Sequence, residues 1–168
     1  MAIQVTDFVV LLVEDDADHV LLIQRAFAKA NLVNPLRIVR DGDDAIAYLS
    51  GTGAYADRTR HPLPSLILLD LKLPRRSGLE VLSWLRGESH LKLTPVVILS
   101  SSAEMGDIQQ AYALGVNSYL VKPVNFGDLL EMVKSIGMYW MILNRNVAQT
   151  PAKSPPPISP KSSVSPPP

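Results

Sequence analysis

Five short apolar runs punctuate the first 121 residues: Phe8–Val13 (FVVLLV), Leu36–Val39 (LRIV), Leu66–Leu69 (LILL), Val96–Leu99 (VVIL) and Tyr119–Val121 (YLV). Runs so little interrupted by polar residues suit strands buried on both faces. Between and after them apolar residues recur at three- and four-residue spacing: Val20, Ile23, Ala26, Phe27 and Ala30; Ala45, Ile46 and Leu49; Leu79, Leu82 and Leu85; Ile108, Ala111, Tyr112 and Leu114; Leu129, Met132, Val133 and Ile136. That period predicts five amphipathic helices. Gly87 and Gly115 stand where the third and fourth should stop, and Asn125 with Asp128 marks the start of the fifth. A β-then-α alternation repeated five times implies right-handed crossovers and a parallel sheet covered on both faces, a doubly wound α/β fold.

Residues 50–64 (SGTGAYADRTRHPLP) are long for a helix-to-strand connection, polar and rich in breakers, and are expected to form an exposed loop. From Pro151 to Pro168 the chain holds eight prolines, five serines and three apolar residues, too few to offset the entropy of ordering it. The expected organisation is one domain over residues 1–143 and a disordered Pro/Ser-rich tail over 144–168.

Composition narrows the chemistry. There are no cysteines, which removes disulfides, thiolate catalysis and cysteine-based zinc sites. His19, His61 and His90 form no pair at metal-ligand spacing. No apolar stretch reaches the length of a membrane span, and no basic segment precedes the first apolar run, so the chain is expected to work in the cytoplasm away from membranes. The 16 basic and 16 acidic residues balance. Two of the lysines, Lys153 and Lys161, lie in the tail, which leaves the remainder slightly acidic without the basic stripe that nucleic acid requires.

The acids are clustered where a site should be. Ligands of an open parallel sheet bind beyond the carboxyl ends of the strands. Strand one ends in Glu14, Asp15 and Asp16, strand three in Asp70, strand four in Ser100 and Ser101, and strand five in Lys122 and Pro123. Carboxylates brought to about 5 Å repel by roughly 3 kcal/mol per pair at an effective dielectric of 20. Either one stays protonated, or a hard divalent cation together with Lys122 offsets the charge. Mg²⁺ with a phosphoryl oxygen suits such a ligand set better than any redox metal, and Asp70 is then placed to serve as a nucleophile. Phosphoryl transfer needs a cation, a metal and a hydrogen-bond donor around three equatorial oxygens, and Lys122, Mg²⁺ and the Ser100 hydroxyl fill those places. Taken singly these residues mean little: Asp16 reads as a helix N-cap, Lys122 as a solvated loop residue and Ser100 as a turn former. Their joint placement on four strand ends is what such readings leave unexplained.

VLLVEDD, LILLDLKLP, VVILSSS and SYLVKP, in that order, resemble the receiver domain of two-component response regulators. The resemblance implies a flavodoxin-like five-stranded sheet in the order 2-1-3-4-5, Mg²⁺ as cofactor, and Asp70 as acceptor of a phosphoryl group from a sensor histidine kinase. By the same resemblance Glu14, Asp15, Asp70 and the backbone carbonyl of Lys72 are metal ligands. Ser100 is the switch hydroxyl, Tyr119 the aromatic whose rotamer follows it, and Lys122 the site lysine. Such a domain is a phosphoacceptor that catalyses its own phosphorylation and slow dephosphorylation without being a turnover enzyme. Ser100 in place of threonine, Lys72 two residues after the acceptor and the long 50–64 loop depart from the commonest pattern. The loop, RDGDDAIAYL and the extended last helix resemble single-domain regulators that serve bacterial phytochrome kinases.

After the fifth helix comes Met138–Leu143 (MYWMIL), too continuous for one helix stripe, and no DNA-binding or enzymatic output is expected beyond it. It either folds back on its own domain or forms a homodimer through the last helix and strand five. Two other functions compete: a phosphatase of the haloacid-dehalogenase type, against which Lys72 stands where a second acid is wanted, and a phosphorylation-independent scaffold. A flavin carrier is disfavoured because an acidic loop after strand one repels a cofactor phosphate. Trp84 reads as ordinary packing, and His19 and His90 as surface residues.

Overall fold

Every strand in the computed structural model, which describes residues 7–143, coincides with one of the apolar runs. The strands are β1 (Val10–Val13), β2 (Leu36–Val39), β3 (Leu66–Leu69), β4 (Val96–Ser100) and β5 (Ser118–Val121). They pair in parallel in the order β2-β1-β3-β4-β5. The helices are α1 (Ala17–Lys29), α2 (Gly42–Ser50), α3 (Gly78–Gly87), α4 (Met105–Ala113) and α5 (Phe126–Ile136). The expected Phe8–Val13 strand is shorter by two residues, and β4 and β5 each gain one. The tail expected over 144–168 lies outside the described residues.

Alternation along the strands divides the core into two layers. Val10, Leu12, Leu66, Leu68, Val97 and Leu99 face α1 and α5, whereas Leu11, Val13, Ile67, Leu69, Val96 and Ile98 face α2, α3 and α4. β1, β3 and β4 are buried throughout, while the edge strands β2 and β5 are only partly covered. This explains why the three central runs read as unbroken hydrophobic stretches and the edge strands carry Arg37 and Ser118.

Helix ends follow local side-chain chemistry. Asp16 caps α1 by accepting from the Asp18 and His19 N–H groups, and Asn125 caps α5 by accepting from Asp128 N–H at 2.8 Å. Ser77 and Glu80 form a capping box on α3. Gly115 follows α4 at φ +88, the left-handed turn that favours glycine.

The 50–64 segment is pinned rather than merely exposed. Arg58 donates from Nη1 to the carbonyl of Tyr48 at 2.6 Å and from Nη2 to that of Leu49 at 2.7 Å, so its guanidinium caps the last turn of α2. The rings of Tyr48, Tyr55 and His61 pack with centroids 5.1 to 5.9 Å apart. Tyr55 donates its hydroxyl to Asp44 Oδ2 at 2.8 Å. Burial, with that bond and the charge of Asp44, pushes the Tyr55 phenol up to about 12.

Beyond α5 the chain continues as a π-helical segment, Gly137–Leu143. Trp140 and Met141 pack onto the α1/α5 layer, whereas Met138 and Tyr139 remain 54% and 56% exposed. The MYWMIL stretch therefore folds back in part and leaves an apolar remainder.

Arg86 ties the opposite end of the sheet together. It donates to the carbonyls of Gly115, Lys92 and Thr94 and to Asn117 Oδ1, at 2.8 to 3.0 Å. Asn117 Oδ1 also accepts from the Val96 N–H, so one guanidinium joins α3, the approach to β4 and the turn before β5. Arg86→Ala is expected to cost about 1–3 kcal/mol in urea unfolding, and Arg86→Lys to recover less than half, since an ammonium lacks the planar fork.

Candidate functional site at the carboxyl edge of the sheet

The strand ladder itself delivers the site residues to one edge. Glu14 N–H donates to the Val39 carbonyl at 3.1 Å, Asp70 N–H to that of Val13 at 3.1 Å, and Lys122 N–H to that of Ser100 at 2.8 Å. Residues just past β1, β3 and β5 and the last residue of β4 are thus fixed side by side. Glu14 is 1% exposed, Asp70 7% and Ser100 0%, while Asp15 lies open to solvent.

Carboxylate oxygens of Glu14, Asp15 and Asp70 lie within 4.8 Å of one another. Lys122 is the ammonium that answers them. Its Nζ donates to Glu14 Oε2 at 2.5 Å and to Asp70 Oδ2 at 3.0 Å, with only 9% of the side chain exposed. Asp70 Oδ1 accepts from the Leu71 N–H at 2.7 Å. Burial raises Glu14 above its ordinary value, and the Asp70 charge adds to this, against the opposing pull of Lys122. Burial acts to lower Lys122, but the hydrogen bond to Glu14 and the charges of Asp70 and Glu14 outweigh it and hold the ammonium above its usual value.

Gly78, the first residue of α3, permits this packing. A Cβ there would stand 2.1 Å from the Asp70 carbonyl oxygen, so any side chain would push the β3–α3 turn away from the site. Lys72 occupies that turn with its side chain exposed. Arg75 adopts φ +64 in the same turn, and Arg76 Nε donates to Asp43 Oδ1 of α2 at 2.9 Å.

Ser100 and Tyr119 converge on the β4–α4 turn through Ser102. The Ser102 N–H donates to Ser100 Oγ at 3.2 Å, and Tyr119 donates its hydroxyl to the Ser102 carbonyl at 2.8 Å. Ser102 Oγ donates to Asp107 Oδ2, on the first turn of α4, at 2.5 Å. Sequence reasoning missed Ser102 and Asp107 because neither stands at a strand end. It also left His19 as a surface residue. Its side chain is 41% exposed, yet Nδ1 stands 3.2 Å from Lys122 Nζ. The available signal was position: the third helical residue after a strand-end N-cap points back toward the strand that precedes it.

Three carboxylates facing one ammonium leave an excess of negative charge, and their ligands are all oxygen. Among the described residues this is where a hard divalent cation fits.

Both pKa shifts make stability fall as pH rises, each in its own pH range. Glu14 titrates higher in the folded chain than its ordinary 4.5, so the fold binds a proton that the unfolded chain releases. Its stabilising contribution is present below 4.5 and is lost as pH rises through the folded value. Lys122, raised above 10.5, contributes stability that persists until pH climbs through its own folded value. Glu14→Gln is expected to flatten the acid-side slope of urea midpoints measured from pH 4 to 7 without metal.

The family model described as the response regulator receiver domain matches residues 10–134. FilR2 of Methanothrix harundinacea, a probable methanogenesis regulatory protein, is 41% identical over 142 residues, covering 83% of this chain and 87% of that one. Response regulator Rcp1 of Synechocystis is 41% identical over 133 residues, covering 79% and 88%. A structure of Rcp1 in its Mn²⁺-bound form superposes with a TM-score of 0.75 at 39% identity, over 83% of this chain and 98% of the other. The phosphorylated cyanobacterial phytochrome response regulator RcpA superposes with a TM-score of 0.78 at 39% identity, with the same coverage. Family match, identity and strand order agree, and the chain belongs to the response regulator receiver domain family.

Proposed function

We propose that Asp70 is the phosphoacceptor of a phosphorelay, fed by a sensor histidine kinase and read out through protein contacts. The observation that carries this is the Glu14, Asp15 and Asp70 oxygens gathered within 4.8 Å beside a Lys122 ammonium bonded to Asp70. An Asp70 oxygen attacks the phosphorus of a phosphohistidine, and the imidazole leaves with its electron pair, giving an acyl phosphate. Lys122 exchanges its bond to Asp70 Oδ2 for one to a phosphoryl oxygen. The Ser100 hydroxyl gives up the Ser102 N–H and turns toward the same group, and Tyr119 responds through the Ser102 carbonyl. Glu14, Asp15, Asp70 and the Lys72 carbonyl would hold Mg²⁺, which supplies charge neutralisation for the phosphoryl oxygens when bound. Hydrolysis of this acyl phosphate is slow self-dephosphorylation, not turnover of an external substrate.

The kinase is proposed to be a cytoplasmic bacteriophytochrome-type sensor, on the strength of the similarity to RcpA. Incubation with acetyl phosphate and Mg²⁺ is expected to add one phosphoryl group by intact mass, and Asp70→Asn to abolish it. Asp15→Asn, an exposed change, is expected to leave the fold intact and slow labelling at least tenfold. Equal labelling of Asp70→Asn would refute the assignment. Partner affinity unchanged by beryllofluoride would favour the scaffold reading.

The output surface is proposed to include a homodimer through the last helix and β5. Met138, Tyr139 and Val121 are 54%, 56% and 41% exposed there. Large apolar side chains left exposed are best covered by a second copy. Sedimentation at tens of micromolar is expected to show a dimer, and Tyr139→Glu to shift it to monomer; a wild-type monomer at that concentration would remove the proposal.

A further inference from the structure

Among the described residues, His19 is the third side chain that meets the site ammonium, beside Glu14 and Asp70. Lys122 Nζ carries three N–H bonds and meets three acceptors: Glu14 Oε2 at 2.5 Å, Asp70 Oδ2 at 3.0 Å and His19 Nδ1 at 3.2 Å. An ammonium donates and never accepts, so Nδ1 takes the acceptor role. The imidazole lies farther from the nearby carboxylates, 3.8 Å from Glu14 Oε1 and 3.6 Å from Asp16 Oδ2, beyond ordinary hydrogen-bond length.

The N-cap of α1 fixes the backbone that carries the ring. His19 lies in the first turn of α1, and its N–H donates to Asp16 Oδ1 at 3.3 Å. Glu14 and Asp70 are also two of the three carboxylates able to ligate a divalent cation. A cation drawing on their lone pairs weakens two of the three bonds that hold Lys122. The histidine bond is outside that competition.

Resting on the phosphoacceptor reading, we infer that His19 is a positioning residue for Lys122. Its Nδ1 keeps the ammonium over Asp70 while the carboxylates are engaged elsewhere, so that the charge on the incoming phosphoryl group meets a lysine already in place. Without it the lysine must be gathered from a wider set of rotamers in each phosphorylation event.

The test separates the two imidazole nitrogens. Asparagine puts its amide oxygen where Nδ1 stands, while glutamine reaches only the Nε2 position. The full chain and its His19→Asn, His19→Gln and His19→Ala variants are first compared in melting temperature and Mg²⁺ affinity. Each is then labelled with acetyl phosphate and followed by intact mass. His19→Ala and His19→Gln are expected to slow labelling about five-fold, the factor that one hydrogen bond of ordinary net strength provides. His19→Asn is expected to stay within about two-fold of the wild type, with Mg²⁺ affinity equal in all four. His19→Asn as slow as His19→Ala, or a loss of Mg²⁺ affinity matching the loss of rate, would overturn the inference. A wild-type chain that takes no label would sink the Asp70 reading and this one with it. A labelled wild type with indifferent His19 variants would sink this one alone.

Discussion

Lys122 is the contact on which the carboxyl edge of the sheet depends. Glu14 and Asp70 are almost wholly withdrawn from water, and two carboxylates so placed repel unless a cation stands between them. The ammonium bonds to both. It reaches them because β5 is hydrogen-bonded to β4, which puts Lys122 next to Ser100 and two strands from Asp70. One lysine does not balance three acids, so the resting site keeps a negative excess. This excess is an unfavourable term for the folded chain and a favourable one for any hard cation that enters.

How much of this could be read from the residues depends on what each reading rested on. β1, β3 and β4 are buried on both faces, so every position but the terminal Ser100 is apolar and the runs stand out. The site acids and Lys122 were legible because a parallel sheet forces strand-end residues to one edge. The 50–64 segment was not. Its composition is that of an exposed loop, and the bonds from Arg58 to the Tyr48 and Leu49 carbonyls and the Tyr48, Tyr55 and His61 ring contacts arise only once α2 and β3 are placed. His19 failed for a related reason. A partly exposed histidine in a helix gives no pattern, and its contact with Lys122 spans 103 residues of chain.

MYWMIL shows the limit of pattern reading in another way. Six consecutive apolar residues were expected either to fold back or to meet a second chain. Trp140 and Met141 take the first course, and Met138 and Tyr139 remain exposed. A π-helix has more residues per turn than an α-helix, yet six consecutive positions still go round its whole circumference, so one apolar run is divided between two faces.

Ser102 gives the site a connection to the surface. It bonds through its N–H to Ser100, through its carbonyl to Tyr119, and through its hydroxyl to Asp107 in the first turn of α4. Ser100 cannot move toward a phosphoryl group without giving up the first of these bonds. The remaining two then no longer share an anchored residue, and each leads to an element that is partly exposed: β5 through Tyr119 and α4 through Asp107. Under the proposed function, a displacement of the Ser100 hydroxyl would act on the β4–α4 turn as a switch, because a hydrogen bond to a fixed donor is made or broken rather than stretched continuously. Under the proposed phosphorelay, the response at α4 and β5 would rest on these three bonds to one small residue.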